Sequence, residues 1–320
     1  MHVLAIGSSV IDLFLDVDPK AVTVDDQYIK LHLGDKISSE IKKITLGGNG
    51  ANVSVGLTRL EIPTTFYTYL GGDILSREIE EGLTREGVEL VAERHEQKSS
   101  SLSIIFGFDH DRIIFSHHEV RDYTFSYDKE LNFDYIFLSS IGDHWEKAYE
   151  QIYEFISKNN IPVAFSPGIH QLENVGKPIK NILGLTKIFL SNREEAEKIL
   201  GKAGGEIKDL LTGIKEFGPE IVSITDGGNG SFAIDRENKS YKLGPLPSSS
   251  SEKTGAGDAY AAAFVAACLS GQDVPTAMVW GANNANAVME RVGAQNGLLR
   301  KPELDRRIKE GNNLKAEELQ

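Results

Sequence analysis

Cysteine is nearly absent: Cys268 is the only one, so no disulfide can form within the chain and no multi-cysteine zinc or iron–sulfur site can be assembled. That usage fits a reducing compartment, and a cytoplasmic location is the expectation. Long apolar runs are missing too. None approaches the roughly 18 residues of a membrane span, and the opening MHVLAIGSSVIDLF lacks the basic stretch that precedes the apolar part of a leader, so it reads as a first strand. Basic residues are in deficit, with 34 Lys and Arg against 47 Asp and Glu and a net charge of −13 over 320 residues. A polyanion would meet net repulsion, which argues against nucleic acid or an anionic membrane as partner and requires a focused local site for any anionic ligand. No repeat with a period of about 20 to 50 residues is evident, so a solenoid is not expected.

What is present is an ordinary globular composition, 40% hydrophobic and 25% charged. The length allows two domains or one large α/β domain. Short apolar runs at 3–6, 65–70, 135–138, 163–165, 188–190 and 221–224 are bounded by Gly, Ser, Asn or Pro, as buried parallel strands are. Helical patterns lie between most of them, at 51–60, 76–86, 146–158, 194–200 and 207–217. The alternation predicts a single three-layer α/β/α domain over 1–320 with a mostly parallel sheet. Two regions, 13–44 and 99–127, alternate polar and apolar residues without helical periodicity. They read as inserted antiparallel strands forming one small sheet, either a lid over a site, a dimer face, or surface decoration. Residues 247–251 read as a loop within the domain, and 301–320 as one or two terminal helices with a frayed end.

The richest segment is Thr254-Gly255-Ala256-Gly257-Asp258, which opens an Ala-rich stretch that is apolar almost all round and stops at Gly271. Small residues at the N-terminus of a buried helix let backbone N–H groups and the helix dipole meet an anion. Asp258 would repel phosphate, so it makes sense as a base beside a transferring phosphoryl group, accepting a proton from an attacking hydroxyl. The alternative is a helix cap beside a packing turn. A second glycine turn, Gly47-Gly48-Asn49-Gly50-Ala51-Asn52, also runs into a helix and sets the amide of Asn52 in its first turn, where it could bond ligand hydroxyls or merely tighten the helix entry. Neither segment is a P-loop or a dinucleotide fingerprint, since the required Lys-Ser/Thr and third glycine are missing.

Together these segments resemble the paired signatures of the ribokinase/PfkB carbohydrate-kinase family. Further matches follow in order: Gly7 to Asp12 resembles its first-strand loop, Asn192 to Glu195 its N-x-x-E motif, Thr225 to Gly230 its T-x-G-x-x-G motif, and Arg291 to Gln295 its R-x-G-A-Q segment. The resemblance covers nearly the whole chain. It implies transfer of the ATP γ-phosphoryl group to a hydroxymethyl of a sugar, with a nucleoside kinase as the near alternative and a catalytically weak sugar- or nucleotide-binding regulator as the alternative of another class. By this resemblance Asp258 is the base, and Gly255, Ala256 and Gly257 form the anion hole. Asp12, Gly48 and Asn52 hold the acceptor. Asn192 and Glu195 organise phosphates and Mg²⁺, Glu195 through water. Thr225, Gly227 and Gly230 line the nucleotide site, with Asn283 or Asn286 near adenine, and the inserted strands become the lid, through which a homodimer could form. The family more often has an Asp-Thr pair where this chain has Ser250 to Lys253, which weakens the case for a monovalent-cation site.

Other residues carry open readings. Asp12 could simply end a strand, Asn192 and Glu195 could cap a helix, and Thr225 to Gly230 could be a plain turn. Lys253 reads as a solvated loop lysine, Cys268 as a buried structural residue, and His110, His117 and His118 as exposed or substrate-facing rather than metal-binding. Lys98, Arg112 and Arg121 are available in the lid should the acceptor carry phosphate. Ser166 to Gln171 slightly resembles a nucleoside-kinase loop. Tyr123, Phe125 and Tyr127 could stack on a base or close the lid's own core.

Overall fold

Val3, Leu4, Ala5 and Ile6 leave no residue to face water, so a strand made of them needs cover on both sides. In a computed structural model, which describes residues 1–25, 28–108, 111–173, 175–247, 254–311 and 314–319, that strand, β1 (Val3–Ile6), lies within a ten-stranded sheet. The chain continues through β2 (Val10–Val17), the hairpin of β3 (Thr23–Asp25) and β4 (Tyr28–Lys30), and β5 (Ser39–Gly47) into helix α1 (Asn49–Arg59). Then come β6 (Thr64–Gly71), α2 (Ile74–Arg85), β7 (Glu89–His95), β8 (Ser101–Phe108) and β9 (Asp111–His117). The middle holds β10 (Tyr135–Leu138), α3 (Glu146–Asn159), β11 (Val163–Phe165), α4 (Ile169–Leu172), α5 (Lys177–Leu185), β12 (Thr186–Asn192), α6 (Arg193–Leu200) and α7 (Ile207–Lys215). Last are β13 (Ile221–Thr225), β14 (Ser231–Ile234), β15 (Ser240–Leu243), α8 (Ala256–Leu269), α9 (Val274–Met289), α10 (Lys301–Glu310) and β16 (Glu317–Glu318).

The large sheet has the order β16-β15-β14-β13-β12-β11-β10-β1-β6-β7 and is parallel from β13 to β7. Alternation along β1 divides the core. Val3 and Ala5 join a cluster with buried residues of α1, α2, α8 and α9, while Leu4 and Ile6 join a second one with α3, α5, α6 and α7. This is the expected α/β/α layering. Sequence patterning missed β7 and the antiparallel edge β14 to β16. Of the tail read as one or two helices with a frayed end, α10 takes residues 301–310, whereas Glu317 and Glu318 pair with Lys242 and Tyr241; two residues are too few for periodicity to register.

The two insertions do meet in one small sheet, β5-β2-β8-β9. Its strands are not all antiparallel, because β2 and β8 run parallel with Asp12 opposite Ser103. The reason is topological: β2 follows β1 and β8 follows β7, and those two strands point the same way in the large sheet. The hairpin β3–β4 stays apart. Residues 118–127 leave the small sheet altogether. Tyr123 packs edge-on to Tyr69 and Phe125 against Tyr67 and Phe155, within the large sheet's second core cluster, so they neither stack on a base nor close a core of the lid.

Candidate active site

Small residues decide where the chemistry sits. Helix α8 is buried along most of its length, and Gly56 lets α1 touch it; a Cβ on Gly56 would fall 2.7 Å from the Ala262 Cβ. On its other side Gly281 of α9 lies against the Tyr260 ring with equally little room. At the end of β1, Gly7 meets Gly50 backbone to backbone, and Ala51 N–H donates to the Ser8 carbonyl (3.2 Å), pinning the start of α1 to the carboxyl end of that strand. Gly48 precedes α1 with φ +93°, and any side chain there would strike the Ser8 carbonyl. Gly255 precedes α8 with φ +79°, against Ala294. Both glycine loops therefore bring a helix N-terminus to the same place.

Asp258 stands in the first turn of α8, between those ends. Asn49 Nδ2 donates to its Oδ1 (3.0 Å) and Asn52 Nδ2 to its Oδ2 (2.8 Å). Each amide is held in turn: the Ser140 hydroxyl donates to Asn49 Oδ1 (3.1 Å), and Gln295 Nε2 donates to Asn52 Oδ1 (3.1 Å). Two relays thus converge on one carboxylate and fix its plane. Burial pushes its pKa up to about 6, against the two amide hydrogen bonds that pull it down. A carboxylate tuned so is ionised near neutral pH yet basic enough to take a proton. The nearby Glu195 carboxyl is also held above its ordinary value, by burial first and by the Asp258 charge as a smaller cause.

Two cavities adjoin Asp258. The first, of about 340 Å³, is lined by Asp258 and Gly257 together with Ser8, Asn49, Ser140 and Ser166, and by Asn192, Glu195 and Thr225 toward β12 and β13. The second, of about 400 Å³, is lined by Thr225, Gly227, Gly230, Ala256 and Gly257, and closed by Ala282, Ala285, Asn286 and Met289 of α9. Thr225, Gly257 and Tyr260 border both, so a ligand extending from the second would reach the first. The backbone N–H groups opening α8 have no acceptor within their helix and sit at this junction.

Several residues singled out in the sequence stand elsewhere or do something else. Asn52 is buried and both ends of its amide are engaged by Asp258 and Gln295, so it orients the carboxylate rather than facing the cavity. Asn49, its neighbour in the motif, is the amide that lines the cavity. Asn283 is buried with its amide turned to the Val279 carbonyl of its own helix, whereas Asn286 lines the second cavity and donates to Pro247. Asp12 is buried on β2, its carboxylate packed over Gly47, outside the cavity lining. Asn192 and Glu195 make a reciprocal cap on α6 (2.8 Å each way) and also line the first cavity, so capping and site coexist. Arg121 is buried, donating to the Leu70 and Ser99 carbonyls, and Lys98 donates to Glu119 and Val120, so neither points a free cation at an acceptor phosphate. Cys268 is half-buried, and burial pushes its thiol up to about 12, which makes it inert. His110 and the segment Ser250 to Lys253, with its monovalent-cation question, lie outside the described residues, as does the side chain of Arg112. Sequence reasoning missed Ser140 and the orienting role of Gln295; only the presence of Gln295 in the last motif pointed that way.

A buried carboxylate set between an open polar cavity and a glycine-lined slot suits phosphoryl transfer between two small molecules, and the fold and site together define a small-molecule kinase. The family model of the pfkB family carbohydrate kinases matches residues 2–301, and the chain belongs to that family. It is similar to a sugar kinase of Archaeoglobus fulgidus, itself uncharacterized, at 29% identity over 77% of this chain and 99% of that protein. A nucleoside kinase of Methanothermobacter thermautotrophicus matches at 25% over 92% and 91%, and a 5-dehydro-2-deoxygluconokinase of Clostridium perfringens at 25% over 75% and 77%. Among solved structures, the fold is shared with Arabidopsis thaliana ribokinase complexed with ribose and ATP (TM-score 0.79, 20% identity, 96% of this chain and 98% of that one). It is shared also with the Methanocaldococcus jannaschii nucleoside kinase (0.75, 21%, 97% and 98%).

Proposed function

We propose that the protein transfers the γ-phosphoryl group of ATP to a hydroxymethyl group of a sugar, with Asp258 as general base. The observation that carries this reading is the Asp258 carboxylate, gripped by Asn49 and Asn52 and lining the first cavity where Gly257 opens onto the second. The acceptor oxygen attacks the γ-phosphorus while its proton passes to Asp258; the bond from the γ-phosphorus to the β,γ-bridging oxygen breaks, and ADP leaves. The N–H groups of Gly255, Ala256 and Gly257 stabilise charge growing on the transferring group. Thr225, Gly227 and Gly230 cradle the nucleotide, and the apolar side of α9 with Asn286 receives the base. Two carboxyl groups, Glu195 and Asp258, share one cavity and repel each other, a donor set that suits a divalent cation. Asn192 and Glu195 would hold Mg²⁺, Glu195 through water, and when bound with the nucleotide it would neutralise phosphate charge.

The small sheet is the lid in this reading, and Asp12 and Gly48, at its base, would meet acceptor hydroxyls on closure. Closure would exclude water and limit ATP hydrolysis. The row Ile44, Leu13, Ile104 and Phe115 runs across this sheet in register, with Ile44 59% and Phe115 57% exposed, which supports a homodimer through the lid. Light scattering of the intact chain would give a dimer that Phe115→Glu dissociates; a monomeric intact protein would remove this part. A nucleoside acceptor is the second reading, favoured by the loop from Ser166 to His170, which lines the first cavity. Among the described residues no helix is long and apolar enough to cross a membrane, and the single cysteine supports a cytoplasmic site of action. The test is ADP release from Mg·ATP with sugars and nucleosides supplied in turn. Release that requires one acceptor class identifies it, and ATP binding without acceptor-dependent release would favour a binding protein.

A further inference from the structure

The first cavity has a wall that the phosphoryl chemistry does not use. His118, just after β9, and His170, in α4, both line it, with ring centroids 5.7 Å apart and planes at 79°. They come from distant parts of the chain, and His170 is backed by a carboxylate and a closed loop. His170 Nδ1 lies 2.8 Å from Asp143 Oδ1, the His170 carbonyl accepts from Trp145 Nε1 (3.2 Å), and Gln171 closes the loop by donating to Ile141 (2.9 Å) and accepting from Gly168 N–H (3.2 Å).

We propose that His118, His170 and Asp143 form the specificity wall for the acceptor and select an uncharged polyhydroxylated molecule over an anionic one. The inference deepens the kinase reading and rests on it. Both imidazoles line the cavity, where their ring nitrogens can pair with acceptor hydroxyls. Burial, followed by the neighbouring His170, holds the His118 pKa below its ordinary value, which favours its neutral ring. The charged groups around the cavity are Asp258 and Glu195 in its lining and Asp143 behind His170; among the described lining residues there is no Lys or Arg. A carboxylate or phosphate on the acceptor would meet charge of its own sign with no cation to answer it. Hydroxyls, by contrast, find Ser140, Ser166 and two imidazoles. His118 and His170 would touch the acceptor; Asp143 acts through His170 and is a positioning residue.

The experiment is steady-state ADP release by the full chain with Mg·ATP and either D-ribose, D-fructose or adenosine, or the anions D-gluconate and ribose 5-phosphate. Expected is a kcat/KM for the best neutral acceptor at least about tenfold above either anion. In His170→Phe the acceptor KM should rise about tenfold while the KM for ATP stays within about twofold, and His170→Gln, which keeps an acceptor atom, should recover part of the loss. Because Asp143 is partly exposed, Asp143→Asn should fold; it should raise the acceptor KM with little change in kcat and narrow the preference for neutral acceptors. Turnover of gluconate or ribose 5-phosphate equal to or above that of the neutral acceptors would overturn the inference and leave the kinase reading standing. An unchanged acceptor KM in both His170 variants would do the same. No release with any acceptor of either class would overturn the kinase reading, and this inference with it.

Discussion

The two cavities at Asp258 differ in what their loops present to a ligand. The second is made by loops and helix ends that are contiguous in the chain, Thr225 to Gly230 and Ala256 to Gly257, closed by one face of α9. The first is assembled from segments at the ends of separate strands that present side chains: Ser8 after β1, Ser140 to Gly142 after β10, Ser166 to His170 after β11 and Asn192 at the end of β12. Phosphate handling needs backbone shape, which short glycine-containing segments encode. Acceptor recognition needs side chains, which any strand end can supply and exchange without disturbing the sheet. A small-molecule kinase can on this account keep its phosphoryl machinery and vary its acceptor.

That contrast can be broken by substitution, and the largest effect belongs to the junction. Asp258→Asn should lower kcat about a thousandfold while leaving ATP binding, measured by calorimetry, close to the parent's. The same variant tests the electrostatics. Folding raises the Asp258 pKa from 3.8 to about 6, so the stability linked to its neutral form is fully present below the unfolded value and lost as pH rises through the folded one. Asp258→Asn should therefore match the parent in acid and exceed it in urea midpoint above that range. A midpoint lower than the parent's at alkaline pH would mean the carboxylate is stabilised, not strained.

Next in size is the support. Asn52→Ala removes a hydrogen bond that lowers the Asp258 pKa, so kcat should drop about tenfold or more and the acidic limb of the pH–rate profile should move upward. An unmoved limb would separate Asn52 from the base. Gly48→Ala, at φ +93° against the Ser8 carbonyl, should cost about 1–3 kcal/mol in equilibrium unfolding. Smallest is Ser166→Ala in the first cavity: stability should stay within about 0.5 kcal/mol, with the effect confined to the acceptor KM. If Ser166→Ala destabilised as much as Gly48→Ala, the contrast between the cavities would fail.

The same contrast explains what could be read without a structure. The buried parallel strands were legible because residues such as Val3 to Ile6 and Tyr135 to Leu138 are apolar without interruption. The glycine turns were legible because left-handed backbone at Gly48 and Gly255 leaves a local mark. Strand β7 was not: Glu89-Leu90-Val91-Ala92-Glu93-Arg94-His95 forms the sheet edge, and its charged residues hide the pattern. Asn49 and Asn52 share one motif, and only the fold tells which amide faces the cavity. Ser140 carries no local signature and His170 only the slight one of its loop, since a serine or histidine at a strand end is also ordinary loop chemistry.

The central claim is that Asp258 takes the proton of an acceptor hydroxyl, and acceptor-dependent ADP release followed across pH in the parent and in Asp258→Asn tests it most directly. The account predicts a parent rate that falls as pH drops through about 6, and a variant slower by about a thousandfold that has lost this limb. A variant within about tenfold of the parent, or a parent rate indifferent to pH across that range, would contradict it.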